Sequence, residues 1–324
     1  MPSELIEAVS QSRAYVDDHN CCHIPQAFYT PSFFVVLAAT LNDRSVDFQS
    51  FSVDANSSGY FSAIGLSNAL WNIDDYTNNR TNLGNNYSLV TRLDSAEQTD
   101  TCNTQIAGCL RNMVGDNTSS GFGSLLHVVG ELHDNVWSHG KRTGFSHAQK
   151  WKVPYSDGRD YYLEFALADK GLGFLQEMRR AGKTEVSTHR EAIEWCIQEG
   201  HSTKHGDDID EWTQSVPSDL VGGSPFGSSV ETRINDGNHH QGLGLHHLVS
   251  LVKTYSGELT IVSGDAAFSV NDRGQESYSM IQNSWQGVAI SCRVKESSLL
   301  SVEQHASDSV LNIMDRLTKG GGLS

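Results

Sequence analysis

Apolar positions along the chain alternate between helical and strand spacing, and the change of period divides it into segments. Leu5, Ile6, Val9, Tyr15 and Val16 predict a short helix over 3–16, whereas the continuous run FFVVLAATL over 33–41 fits either a buried strand or a buried helix. Alternation of Phe48, Ser50 and Ser52 against Gln49, Phe51 and Val53 predicts a short strand over 48–53, helical spacing follows over 60–70, an Asn/Asp-rich loop covers 72–86, and 87–93 is a second strand candidate. From 119 onward the pattern is clearer. Leu125, Val128, Val129, Leu132 and Val136 form one helical stripe, and YYLEFALA over 161–168 reads as a strand. One helix is expected around 185–199 inside a long Gly/Ser-containing stretch. GLGLHHLVSLVKTYSG then reads as glycine turn, helix and glycine stop, followed by strands over 258–263 and 287–294. Val310, Ile313, Met314 and Leu317 predict a last helix, a candidate for docking or for homodimer formation.

Composition narrows the classes. The 324 residues carry 23 Lys+Arg against 39 Asp+Glu, a net charge of −16. An acidic chain is a poor binder of nucleic acid or of anionic membranes, although a nucleotide can still be held by backbone N–H groups and Mg²⁺. The longest apolar run is too short to span a bilayer and the first residues lack a signal-peptide pattern, so a cytoplasmic protein is expected. Six cysteines without a CxxC pair read as reduced thiols. Fourteen histidines, including the 239–240 and 246–247 pairs, fall into no HExxH or finger spacing.

Three short segments carry candidate chemistry. In ELHDNVWSHG, Glu131, Asn135 and His139 are four residues apart, so a helix places a carboxylate, an amide oxygen and an imidazole on one face, drifting about 40° per step. Carboxylate and amide oxygens suit a hard cation and a water to be polarised. DKGLG at 169–173 follows an apolar strand. There Asp169 can accept from an exocyclic amine, while Gly171 and Gly173 let backbone approach a flat ring. Finally, Gly242, Leu243 and Gly244 open a helix whose N–H groups can face an anion. Each motif alone has an ordinary structural explanation, namely an amphipathic helix, a strand-ending turn and a helix cap.

Their order is more specific. A helix with ExxxN, then strand-DxGxG, then about 70 variable residues, then GxGL-helix-SG-strand resembles the GHKL ATPases, the Bergerat nucleotide-binding fold. The segments SGELTIVSG at 256–264 and QGVAI at 286–290 strengthen the resemblance, although Val288 stands where that family often has Thr. The resemblance implies an α/β fold, ATP and Mg²⁺ as ligands, Glu131 as the carboxylate activating the nucleophile and Asn135 as the metal ligand. It also implies His139 and Lys141 near phosphate, Asp169 as adenine reader with Gly171 and Gly173 beside the base, and Gly242, Leu243 and Gly244 as the phosphate turn. Residues 119–296 would be this domain, with an ATP lid over 174–241 and a four- or five-stranded mixed sheet, and 297–324 a helical tail.

The segments YTPSFFVVLAAT, GYFSAIGL and YSLVTRL within 1–115 resemble the degenerate STAS-like domains fused ahead of some free-standing GHKL proteins. Ser32 falls near the phosphoacceptor serine of such domains, without the Asp and Gly that flank it. No two-helix dimerisation segment with a phosphoacceptor His is visible upstream, and 297–324 has no room for a transducer domain. The two resemblances together imply an anti-sigma-kinase-like regulator that hydrolyses ATP slowly or passes a phosphoryl group to a protein partner. The other reading is a non-catalytic, ATP-gated interaction module.

Overall fold

The computed structural model describes residues 4–114, 120–140, 143–153, 160–198 and 244–299. Helix α1 (Glu4–Gln11) leads to β1 (Cys22–Ile24), α2 (Pro31–Asp43), a 3₁₀ turn (Phe48–Ser50), β2 (Phe51–Val53), α3 (Ala55–Ala63) and α4 (Leu66–Trp71). After β3 (Thr91–Leu93) come α5 (Ala96–Val114), α6 (Ser120–Gly140), β4 (Gly144–Lys152) and β5 (Tyr161–Asp169). The remainder is α7 (Phe174–Arg180), α8 (His189–Cys196), α9 (Gly244–Thr254), β6 (Glu258–Val270) and β7 (Glu276–Lys295). The protein is mixed α/β. Its main sheet has the order β3-β4-β5-β7-β6 with every pairing antiparallel, and β1 and β2 form a separate parallel pair. The expected mixed sheet is therefore corrected to an antiparallel one.

Both faces of this sheet are covered, which is why its strands read as apolar runs rather than alternating ones. On one face Phe165, Leu167, Ile261 and Ile290 pack with Val128, Val129, Leu132 and Val136 of α6 and with Leu248 and Val252 of α9. On the other, Ala166, Ala168, Val262 and Ala289 pack with α1 and α2. The ambiguous run over 33–41 is the helix α2, with Phe33 through Leu41 all buried. A helix apolar on all sides must be enclosed, and α2 is enclosed between the sheet, α1 and α4.

The N-terminal segment therefore does not stand apart. It contributes β3 to the main sheet and α1 and α2 to one of its faces. The strand expected over 48–53 is half 3₁₀ turn and half strand. Four elements went unread in the sequence, β1, α5, β4 and α7, and the helical spacing over 60–70 spans two helices, α3 and α4. Of the expected lid, residues 174–198 form α7 and α8, joined by a small core of Leu175, Met178, Val186 and Ala192, while 199–241 lie outside the described residues. So does the tail helix expected over 310–317. Among the described residues no helix is long and apolar enough to cross a membrane, and all six cysteines are unpaired.

Two buried polar groups tie layers together. Glu164 on β5 accepts from the backbone N–H (3.1 Å) and hydroxyl (2.7 Å) of Ser32, from Ser291 Oγ (3.2 Å) and from Trp151 Nε1 (3.2 Å). Four donors offset the burial of the carboxyl, whose pKa is raised chiefly by desolvation. They also dock the first turn of α2 on the sheet. Ser32 is 0% exposed, so the phosphoacceptor position that the STAS resemblance suggests is closed in this fold.

On β4, His133 of α6 meets Ser146 on one face of the sheet, and His147 is buried beside Phe34 on the other. Burial lowers the pKa of His147 to about 4. Above pH 6.5 both the folded and unfolded chains hold this ring neutral. Below it the unfolded chain takes up a proton that the fold refuses, so stability falls between 6.5 and about 4. Compared with His147→Gln in urea unfolding, the wild type is expected to lose up to about 1.4 kcal/mol per pH unit across that window. Parallel pH profiles of the two proteins would refute the buried neutral assignment.

Candidate functional site

Helix α6 is the ruler of the site. Its apolar stripe faces the sheet, and Glu131 and Asn135 lie off that stripe, the first buried (5% exposed) and the second half-buried. The helix is fixed by His133, whose Nδ1 lies 2.6 Å from Asn103 Oδ1 of α5 and whose Nε2 lies 2.8 Å from Ser146 Oγ of β4. Those partners define a neutral ring, Nδ1–H donating to the amide oxygen and Nε2 accepting from the hydroxyl. Burial alone lowers its pKa to about 3. Cys102 Sγ, 3.9 Å from Nε2, completes the cluster, but its thiol is pushed up to about 12 by burial, which leaves it inert at neutral pH.

One end of the site is where α9 begins. Gly244, its first residue, lies against Glu131 so closely that a Cβ there would stand 3.0 Å from Glu131 Oε2. A side chain at 244 would displace the carboxylate, and this close approach is what the glycine provides. The other end is the terminus of β5. Asp169 pairs with Gly144 in the β4–β5 ladder, and Gly144 packs on Val136 of α6. Glu131 and Val136 are five residues apart, roughly 7–8 Å along the helix at 1.5 Å per residue. Gly244 thus meets α6 directly at Glu131, and Asp169 is tied to the same helix through Gly144 at Val136, about 1.4 turns further on.

Asp169 is 5% exposed. Its Oδ1 accepts from the Gly171 N–H at 2.6 Å, and the Val288 N–H also bonds to the carboxyl. Desolvation outweighs these donors and raises its pKa to about 6. With the folded value above the unfolded one, the acid form is the better accommodated, and that contribution to stability is lost as pH rises through about 6. An incoming N–H donor would reverse the balance by favouring the carboxylate. Lys170 turns away, its ammonium 3.3 Å from the centroid of the buried Trp285 ring. Asp169 therefore keeps no direct ion pair with its neighbour, and burial lowers the Lys170 pKa to about 8.

A break in the β6–β7 ladder shapes the wall beside Asp169. Ser263 pairs with Val288, but Gly264 pairs with Trp285, so Gln286 and Gly287 are extra on β7. Gly287 adopts φ +98°, and a Cβ on it would overlap the Asp169 carbonyl oxygen and stand 2.7 Å from Oδ1. Sequence reasoning assigned Gly287 only to a strand and gave Ser263 no role. The signal for the first was present in the glycine, and for the second there was none.

Among the predicted site residues, Glu131, Asn135, Asp169, Gly171, Gly173 and Gly244 are positioned by this framework. His139 is in α6, its side chain outside the described residues, as are Lys141, Gly242 and Leu243 entirely. No group of three His, Cys, Asp or Glu side chains among the described residues forms a metal cage. A single amide oxygen at Asn135 beside a carboxylate fits a cation held mostly by phosphate and water. Comparisons with protein-family models, with curated proteins and with solved structures return no match to this chain.

Gly287→Ala is expected to destabilise the protein by about 1–3 kcal/mol, because both its φ and its contact with Asp169 forbid a Cβ. Gly182→Ala, also at positive φ but in open space, should cost about 1 kcal/mol or less. Equal losses for the two in chemical denaturation would show that the contact with Asp169 is not tight.

Proposed function

We propose that the chain is a cytoplasmic, Mg²⁺-dependent ATP-binding regulator of the GHKL type, its N-terminal segment resembling a STAS-like one. It would hydrolyse ATP slowly or transfer the γ-phosphoryl group to a Ser/Thr hydroxyl of a protein partner. The observation carrying this reading is one helix with a buried carboxylate against a glycine helix start at one end, and a second, desolvated carboxylate walled by glycines at the other. A nucleotide has the same polarity, with an amine-bearing flat base at one end and anionic oxygens at the other.

In this reading Asp169 accepts the N6 amine, and Gly171, Gly173 and Gly287 admit the ring face. The start of α9 at Gly244, with Gly242, Leu243, His139 and Lys141, receives the phosphates through N–H groups and cationic side chains. Asn135 would hold Mg²⁺, which when bound neutralises charge building on the phosphate oxygens. Glu131 orients the attacking hydroxyl of water or of the partner and takes its proton. As the new O–P bond forms, the bond from the γ-phosphorus to the bridging oxygen breaks and ADP leaves.

Titration calorimetry with a non-hydrolysable ATP analogue and Mg²⁺ tests the reading. Micromolar binding is expected for wild type, weakened at least about tenfold by Asp169→Asn. Wild-type affinity should fall below pH 6, where Asp169 becomes the protonated acid, while the weaker binding of Asp169→Asn should not follow that trend. Glu131→Ala should keep the analogue and lose turnover. A well-folded wild type that does not bind overturns the proposal. One that binds but never turns over, with or without candidate partners, is an ATP-gated interaction module.

A further inference from the structure

The base end of the site depends on a contact that the nucleotide roles leave unassigned. Ser263 lies on β6 at the last regular pair before the ladder slips, opposite Val288. Its hydroxyl is buried, donates to the Gly287 carbonyl at 2.9 Å and accepts from the Phe174 N–H at 3.3 Å. Both partners are otherwise difficult to satisfy. The Gly287 carbonyl belongs to the extra residues that the slip leaves out of regular pairing. Phe174 is the first residue of α7, whose N-cap, Gly173, has no side chain to cap it. The register partner of Ser263 is the apolar Val288, which cannot substitute for the hydroxyl.

One hydroxyl thus joins three segments, namely the terminus of β6's regular ladder, the irregular step of β7 that touches Asp169, and the turn 169–174 that carries Asp169, Gly171 and Gly173. The fit is close, since a Cβ at Gly173 would stand 3.0 Å from both Ser263 Oγ and the Gly287 oxygen. We propose that Ser263 is a positioning residue for base recognition, pinning the 169–174 turn against Gly287 so that the Asp169 carboxylate keeps one direction. The inference rests on the nucleotide reading above and adds to it the group that sets the geometry of the reader. Pre-organisation of this kind increases affinity by removing the ordering cost on binding.

The test uses the full chain and two probes, the Mg²⁺ complex of the ATP analogue and Mg²⁺–tripolyphosphate, which lacks a base. Ser263→Ala should weaken the analogue about tenfold and leave tripolyphosphate unchanged, while Ser263→Thr restores binding to within about twofold. Combined with Asp169→Asn, Ser263→Ala should cost nothing further, because both changes disable the same contact. Should Ser263→Ala not fold, Ser263→Cys, whose thiol is the weaker donor, carries the same comparison. An analogue affinity unmoved by the substitution, equal loss for both probes, or additive losses in the double variant would each overturn the assignment. Wild type that binds neither probe defeats the nucleotide reading as well, whereas wild type that binds with Ser263→Ala indistinguishable from it defeats this inference alone.

Discussion

His133 makes two short hydrogen bonds in the interior, to Asn103 of α5 and Ser146 of β4, and the candidate site depends on them because they fix the rotation of α6. A helix packed only through Val128, Val129, Leu132 and Val136 could turn by some degrees at small cost, since dispersion contacts are individually weak and non-directional. Hydrogen bonds are directional, and leaving a buried donor or acceptor unpaired costs about 1–3 kcal/mol. The neutral imidazole therefore converts a greasy contact into a defined orientation. Glu131 and Asn135 inherit that orientation from a residue that is itself fully buried.

Polar groups recur as locators throughout this protein. Glu164 does for α2 what His133 does for α6, accepting two hydrogen bonds from Ser32 in the first turn of the helix and two more from Trp151 and Ser291 on the neighbouring strands. Ser263 does the same for the turn after β5. In each case the apolar layers supply the driving force and a single enclosed polar side chain supplies the register. The candidate ligand groups sit beside these pins, and burial of Asp169 outweighs its two backbone donors and raises its pKa.

The antiparallel sheet also explains why the N-terminal segment is inseparable from the rest. β3 forms one edge of the sheet, and α2, apolar on every side, covers a face that would otherwise expose Ala166, Ala168 and Ala289. Ser32 is consumed by this packing, so any regulation through this segment would have to use another surface.

By itself the sequence determined many of the local elements and which candidate residues share a helix face. The stripe over 125–136 required a helix, and spacing by four required Glu131 and Asn135 to share its face, because a helical period depends only on neighbours in the chain. The strand ending in Asp169 and the helix opening at Gly244 were legible for the same reason. Tertiary structure alone decided the rest. Whether 33–41 was helix or strand turned on what enclosed it, since an all-apolar run has no period to read. The antiparallel order of the sheet, the joining of β3 to it, the slip that swings Gly287 onto Asp169, and the hydroxyl of Ser263 that holds it there all join residues tens to hundreds of positions apart. Such contacts leave no local pattern, because they are set by the packing of whole layers rather than by the neighbours of any one residue.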